Sequence, residues 1–157
     1  MIMNKFHPLT ITSIDRLTAD AVAISFDVNN NALFQFEAGQ YITIKQDING
    51  EEVRRAYSIC SMNAEGITIG VKKVEQGRMS TFLTESANKG DVLNVMPPSG
   101  NFVIKGDNKH IVGICAGSGV TPIIAMIKTE LAKQSDAKFT LIYGNKTKDS
   151  SMFADEL

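Results

Sequence analysis

The run KGDNKHIVGICAGSGVTP, residues 105–122, divides the chain into two kinds of sequence. Its HIVGICAG segment is a continuous apolar stretch, the pattern of a strand buried on both faces of a parallel sheet. TPIIAMIKTELAKQ (121–134) follows with helical periodicity, Thr121 placed to cap the helix and Pro122 in its first turn. FTLIYG (139–144) reads as a second buried strand and DSSMFADEL (149–157) as the start of a second helix. That β–α–β–α order opens a doubly wound, Rossmann-like α/β unit, expected over residues 110–157.

Upstream, residues 1–105 read as an all-β domain. Alternating or β-branched runs occur at LTITSIDRL, AVAISFDV, YITIKQDI, EVRRAYSI, GITIGVKKV, VLNVMP and NFVI, separated by turn chemistry such as EAGQ, DINGE and PPSG. Six or seven short antiparallel strands at this spacing point to a closed barrel or a sandwich, and a six-stranded antiparallel Greek-key barrel is the expectation carried forward. MSTFLTESANKG (79–90) breaks the rhythm, with Met79, Phe82, Leu83 and Ala87 at helical spacing and Gly90 as a stop.

A doubly wound sheet normally has about five or six parallel strands, and this chain supplies two candidates. The expectation is therefore a truncated nucleotide-binding domain, or one whose open sheet is covered by a partner subunit such as a second copy in a homodimer. Unpaired apolar edges would otherwise invite aggregation.

Composition narrows the functional classes. The chain has 157 residues, 43% hydrophobic, 21% charged, with a net charge of −1. No basic excess points to nucleic acid or to an anionic membrane. No run approaches the ~20 apolar residues of a membrane helix, so a cytoplasmic protein is expected. The two cysteines, Cys60 and Cys115, lack metal-ligand spacing, and an iron–sulfur cluster takes about four cysteines; no metal site is expected in these residues. His7 and His110 are isolated and read as structural. With no Gly-x-Ser-x-Gly elbow, hydrolysis is a poor reading.

Three groups of residues could carry chemistry. Gly117 and Gly119 lie between a predicted strand and helix, where backbone N–H groups and the helix dipole favour a pyrophosphate. The pattern is GxGxxP, with Pro122 where a dinucleotide fingerprint has its third Gly or Ala, and a glycine turn without ligand is the competing reading. Asn145, Lys146 and Lys148 stand after the second strand in place of an acidic ribose ligand, and cations there suit the 2′-phosphate of NADP over NAD. In RRAYSICS (54–61), Arg55 can grip a phosphate in bidentate fashion and Tyr57, on the same strand face, offers a flat ring. Ser58 can donate to a heterocycle edge, although solvated arginines on an edge strand would also explain the run. Gly77, Met79, Ser80 and Thr81 open the short helix and form a second candidate anion site.

Arg55-Ala56-Tyr57-Ser58, Gly77 to Thr81, Pro98 to Phe102 and Gly117 to Pro122 occur in an order and spacing that resemble the ferredoxin–NADP reductase superfamily. Within it, FEAGQYITI and LIYGNKTKDSSMFADEL resemble the reductase subunits of phenylacetyl-CoA oxygenase (epoxidase) complexes. The resemblance covers the whole chain and implies an FAD barrel followed by an NADP-binding domain. It implies that Arg55 holds the FAD pyrophosphate, that Tyr57 stacks on the isoalloxazine and that Ser58 bonds near its reactive nitrogen, with Ala56 beside them. Val71, Lys72 and Lys73 would run along the flavin or its ribityl chain. Gly77, Met79, Ser80 and Thr81 would receive the pyrophosphate, and Gly117, Gly119, Thr121 and Lys146 would meet NADPH, with NAD as the variant. Tyr57, Ser58 and Thr121 would be the residues at the reacting rings. By the same resemblance electrons leave to an iron–sulfur or oxygenase partner, a 2Fe–2S domain lying C-terminal to the residues present. A non-catalytic FAD-binding fragment and an electron-transfer subunit of another redox complex are the alternatives.

Overall fold

The computed structural model describes residues 5–29, 31–133 and 136–157. Six antiparallel strands come first: β1 (His7–Thr18), β2 (Ala21–Asp27), β3 (Tyr41–Ile48), β4 (Glu51–Ser58), β5 (Ile67–Lys72) and β6 (Val92–Ser99). Their order across the sheet is β4-β3-β6-β1-β2-β5, a Greek-key arrangement in which β6 returns between β1 and β3. An antiparallel bridge from Ile59 to Ile69 joins the two outer strands and closes the barrel. Its interior is built from the alternating apolar positions, among them Ile11, Ile24, Ile42, Ile44, Ile69 and Leu93, all essentially inaccessible to solvent. Each such side chain is worth about 1.5–3 kcal/mol in transfer free energy.

Closure explains one departure from the sequence pattern. NFVI, expected as a further strand, is irregular and pairs with nothing regular, and Phe102 is exposed. A closed barrel has no free edge left to accept another strand, and Gly100, at φ +119°, turns the chain out of the sheet. The predicted helix over 79–90 is also shorter. It is α1 (Arg78–Thr81) followed by a π-helical turn over Phe82–Ser86, ending where Ala87 returns to extended backbone. Met79 and Leu83 point into the barrel core as their spacing indicated, while Gly90 belongs to the turn into β6.

The second lobe holds β7 (His110–Ala116), α2 (Val120–Lys133) and β8 (Lys138–Gly144). β7 and β8 pair in parallel with Ile111 opposite Phe139 and Cys115 opposite Tyr143. Gln134, the expected last helical residue, lies outside the described residues. α2 packs on one face of this two-stranded sheet, so the strands are not buried on both faces as the apolar run predicts: Val112, Ile114 and Ile142 are 57%, 72% and 56% exposed. Cys115 is accordingly only half-buried. DSSMFADEL forms a 3-10 turn at Lys148–Ser150 and further turns in place of a helix.

The lobes meet through a second apolar cluster. Ala21 and Ala23 are the small, outward-facing residues of β2, and with Cys60 they pack against Val120, Ile124, Met152 and Phe153. Small side chains on the outer barrel face let α2 approach closely. Lys72 adds a polar tie, its ammonium donating to the Ser150 carbonyl at 3.1 Å and lying 3.5 Å from the Asp20 carboxylate. Among the described residues no helix is long and apolar enough to cross a membrane, and no cluster of three or more His, Cys, Asp or Glu could hold a metal ion.

Candidate active site

A groove of about 490 Å³ opens where the barrel faces the second lobe. One wall is the end of β4, from Arg55 to Ser58, and β5 contributes Gly70 and Lys72. A third side is the turn into α1, with Gly77 and Ser80, and the fourth is the glycine turn of the second lobe, with Ser118, Gly119, Thr121 and Pro122. Four segments from both lobes of the chain thus converge on one cavity.

Strand alternation assigns the two arginines different tasks. Arg54 faces Glu52, with Nε donating to Oε1 at 2.8 Å, and its guanidinium stacks over Phe6 at 5.2 Å. Arg55 lines the groove, and among the described residues it has no carboxylate partner; it donates only to the Arg54 carbonyl at 2.7 Å. Arg78 also lines the groove, but Glu51 and the Ile48 carbonyl hold its guanidinium. Arg55 therefore spends one N–H on the main chain and keeps the rest of its planar donor fork for an anionic ligand.

Tyr57 sits two residues on, opposite Ile42 across the ladder and packed partly on the barrel core. Burial pushes its phenol up to about 12, against a smaller opposing pull from the Arg55 charge. The ring therefore stays neutral across the physiological range, a flat polarizable surface with a protonated hydroxyl. Ala56 and Ser58 line the same wall.

The α1 turn is held by its own side chains. Ser80 Oγ accepts from the Val74 N–H at 3.1 Å and donates to the Gly77 carbonyl at 3.2 Å. A Cβ on Gly77 would fall 2.5 Å from that Oγ, so only glycine fits this turn. The N–H groups that open α1 have no intrahelical acceptor and border the groove. Met79 borders the groove while its side chain turns into the core, and Thr81 lies in a neighbouring outer depression with Ile48 and Ser86.

Val71, Lys72 and Lys73 separate for a simple reason: consecutive strand residues point to opposite faces. Val71 is fully buried in the barrel and Lys73 pairs with Glu85, leaving Lys72 at the groove. Thr121, expected to cap α2, instead lies inside the helix. Val120 starts it from a preceding 3-10 turn at Gly117–Gly119, and Thr121 Oγ1 donates back to the Ser118 carbonyl at 3.0 Å.

Gly117 and Lys146 line an adjoining cavity of about 700 Å³ with Asp20, Gly144, Asn145 and Ser150; Lys72 and Ser118 belong to both cavities and join them. Gly117 adopts φ +52°. Tyr143, which no sequence motif singles out, braces this turn: its hydroxyl donates to the Gly117 carbonyl at 3.0 Å and accepts from the Met152 N–H at 3.1 Å. His7 packs edge-on against Phe34, and His110 bonds the Thr140 hydroxyl; neither lines either cavity.

A barrel carrying a free guanidinium beside a neutral flat phenol, facing a glycine-rich strand–helix turn, has the form of a two-lobed nucleotide-binding oxidoreductase. Comparison with known proteins agrees. Residues 8–104 match the family described as "Oxidoreductase FAD-binding domain", and residues 114–157 match "Oxidoreductase NAD-binding domain". The chain belongs to this FAD- and NAD-binding oxidoreductase family, within the ferredoxin–NADP reductase-like superfamily.

Among curated relatives it is 40% identical, over 99% of its own length and 45% of the relative's, to one of the subunits of 1,2-phenylacetyl-CoA epoxidase from Escherichia coli (strain K12). It is 33% identical, over 95% of its length and 44% of the relative's, to the ferredoxin reductase component of 3-ketosteroid-9-alpha-monooxygenase from Rhodococcus rhodochrous. Phthalate dioxygenase reductase, a modular structure for electron transfer from pyridine nucleotides to [2Fe-2S], shares the fold with a TM-score of 0.82 at 29% identity, over 97% of this chain and 47% of that one. The chain spans less than half the length of these relatives.

Proposed function

We propose that this chain is the flavin- and pyridine-nucleotide-binding part of a reductase that takes electrons from NADPH and delivers them, through FAD, to an iron–sulfur acceptor of an oxygenase. The relative acting in phenylacetyl-CoA epoxidation makes phenylacetate degradation the best-supported setting. One observation carries the reading: Arg55, Tyr57, Ser58, the Gly77–Ser80 turn and the Gly119–Pro122 turn face one another across a single groove.

FAD held here would supply hydride acceptance and one-electron release, chemistry that no side chain supplies. The chain's own work is placement. Arg55 offers the bidentate grip for a diphosphate, with the α1 N–H groups on its other side. Tyr57 gives the ring a neutral stacking face, and the Ser58 hydroxyl offers one hydrogen bond at its edge. Gly119 and Thr121 approach from the second lobe and restrict where a nicotinamide can lie; such orientation is worth several orders of magnitude in rate. Lys146 lines the adjoining cavity and would meet the 2′-phosphate there, with Lys148 two residues on as a further cation.

Purified protein should carry flavin absorption bands and oxidise NADPH with ferricyanide as acceptor. Absence of flavin after reconstitution with FAD would sink the reading. Bound flavin without turnover would leave the binding role and move the reductase activity to residues beyond this chain.

The cofactor preference has its own test. Changing Lys146 and Lys148 together to Glu should lower NADP⁺ affinity by about tenfold or more, the scale of lost charge-assisted hydrogen bonds, with little change for NAD⁺. Titration of both nucleotides against the FAD-loaded chain measures this, and equal losses would remove the lysines from the 2′-phosphate.

A further inference from the structure

Gly70 occupies the middle of β5, opposite Ala23 of β2, with a backbone conformation open to any L residue. A glycine there weakens a strand and packs nothing, so its presence points to a close approach by other atoms. Those atoms belong to the second lobe. A Cβ on Gly70 would lie 2.5 Å from Thr121 Cγ2, 3.0 Å from Met152 Cε and 3.3 Å from Phe153 Cε2.

Thr121 has little room to yield. It is 5% exposed, β-branched, and fixed in rotamer by its hydrogen bond to the Ser118 carbonyl. Gly39 makes a useful contrast. It too meets α2, with a Cβ position 2.4 Å from Met126 Cε, but its φ of +104° demands glycine whatever the space. At Gly70 only the space does.

We infer that Gly70 is a positioning residue. Its missing side chain is a notch that seats Thr121, at the start of α2, against β5, and so sets the distance across the groove between Tyr57 and Ser58 on the barrel and the Gly119–Pro122 turn. The inference rests on the reading of this groove as the meeting place of flavin and nicotinamide. Thr121 then matters through its methyl group, which fills the notch, as well as through its nearness to the rings. A shift of about 1 Å between two such surfaces can cost on the order of a hundredfold in rate.

The test uses the FAD-loaded chain in a Cys115→Ser background, compared with Gly70→Ala, Thr121→Ser and the double variant. Thr121→Ser removes the clashing Cγ2 while keeping the hydroxyl. Two quantities are read besides flavin content: modification of Cys60 by a thiol reagent, and the change in flavin absorbance on adding NADP⁺. Cys60 reports the seating because Val120, Ile124, Met152 and Phe153 of the second lobe cover it.

Gly70→Ala should keep its flavin, lose protection of Cys60 and lose the NADP⁺-induced change. The double variant should recover both relative to Gly70→Ala and match Thr121→Ser. Unchanged Cys60 protection in Gly70→Ala overturns the notch, whatever the nucleotide does. Lost protection with an intact NADP⁺ response overturns the positioning role while leaving the contact. If Gly70→Ala does not fold, a folded double variant supports the notch and a second failure to fold overturns it. A parent protein that binds no flavin defeats the groove reading instead, and Cys60 protection still decides the seating.

Discussion

An Arg55→Ala chain should bind FAD about 1.5–3 kcal/mol more weakly than the parent, the usual worth of hydrogen bonds to a charged group, while its affinity for riboflavin barely moves. The contrast between the two ligands isolates the diphosphate, which riboflavin lacks. Arg54→Ala supplies the internal control. Its guanidinium is committed to Glu52 and Phe6, so removing it costs no more than a surface ion pair, about 0–1 kcal/mol of stability, and leaves both ligands alone. The Arg55 effect should shrink as salt rises, because the groove is open to solvent at that end and exposed charges are screened. Fluorescence titration of each flavin against the parent and the two variants gives the six dissociation constants. Equal losses for FAD and riboflavin, or a larger loss from Arg54, would place the anion elsewhere.

The choice between those arginines could be made from the sequence because it needs only strand alternation: Arg55 shares a face with Tyr57, and Arg54 does not. The barrel was legible for the same reason. AVAISFDV even records both of its faces, with Val22, Ile24 and Phe26 inward and Ala21 and Ala23 small enough for α2 to rest on. Where the sequence misled, the missing information was about neighbours. HIVGICAG and FTLIYG are apolar enough to be covered twice, but an apolar run reports only what it would tolerate, and Ile114 stands 72% exposed. NFVI has strand-like residues, and the closure that denies it an edge is set by the Ile59–Ile69 bridge far upstream.

The site shows the same division. The family motifs locate the groove, yet a motif read as a string treats Val71, Lys72 and Lys73 alike, whereas alternation turns Lys72 away from the face that buries Val71, and Glu85 occupies Lys73. Thr121 looked like a cap because it precedes Pro122, and a 3-10 turn one residue earlier took over the start of α2. Gly70, a glycine inside a strand pattern, signals a close approach without saying what approaches. Only the fold shows Thr121, from the other lobe, pressed against the glycine of GITIGVKKV.

Tyr57 carries the other large effect. Tyr57→Ala should weaken FAD by about 1–3 kcal/mol, taking base stacking on an aromatic side chain as the measure, and it should weaken riboflavin by the same amount, since both present the same ring. Tyr57→Phe should bind nearly as well as the parent: among the described residues the phenol makes no hydrogen bond, so the flat face is what the ligand would use. The loss should also be independent of pH through the neutral and mildly alkaline range, because burial holds the phenol protonated until about 12. Tyr57 packs partly on the barrel core, so the alanine variant will be less stable as well. Dissociation constants measured well below its thermal midpoint separate weaker stacking from a smaller folded fraction. A phenylalanine variant as impaired as alanine would mean that the hydroxyl, and not the ring, is the contact. An alanine variant with parental affinity for both flavins would take the isoalloxazine out of this groove altogether, and Arg55 would then be gripping some other phosphate.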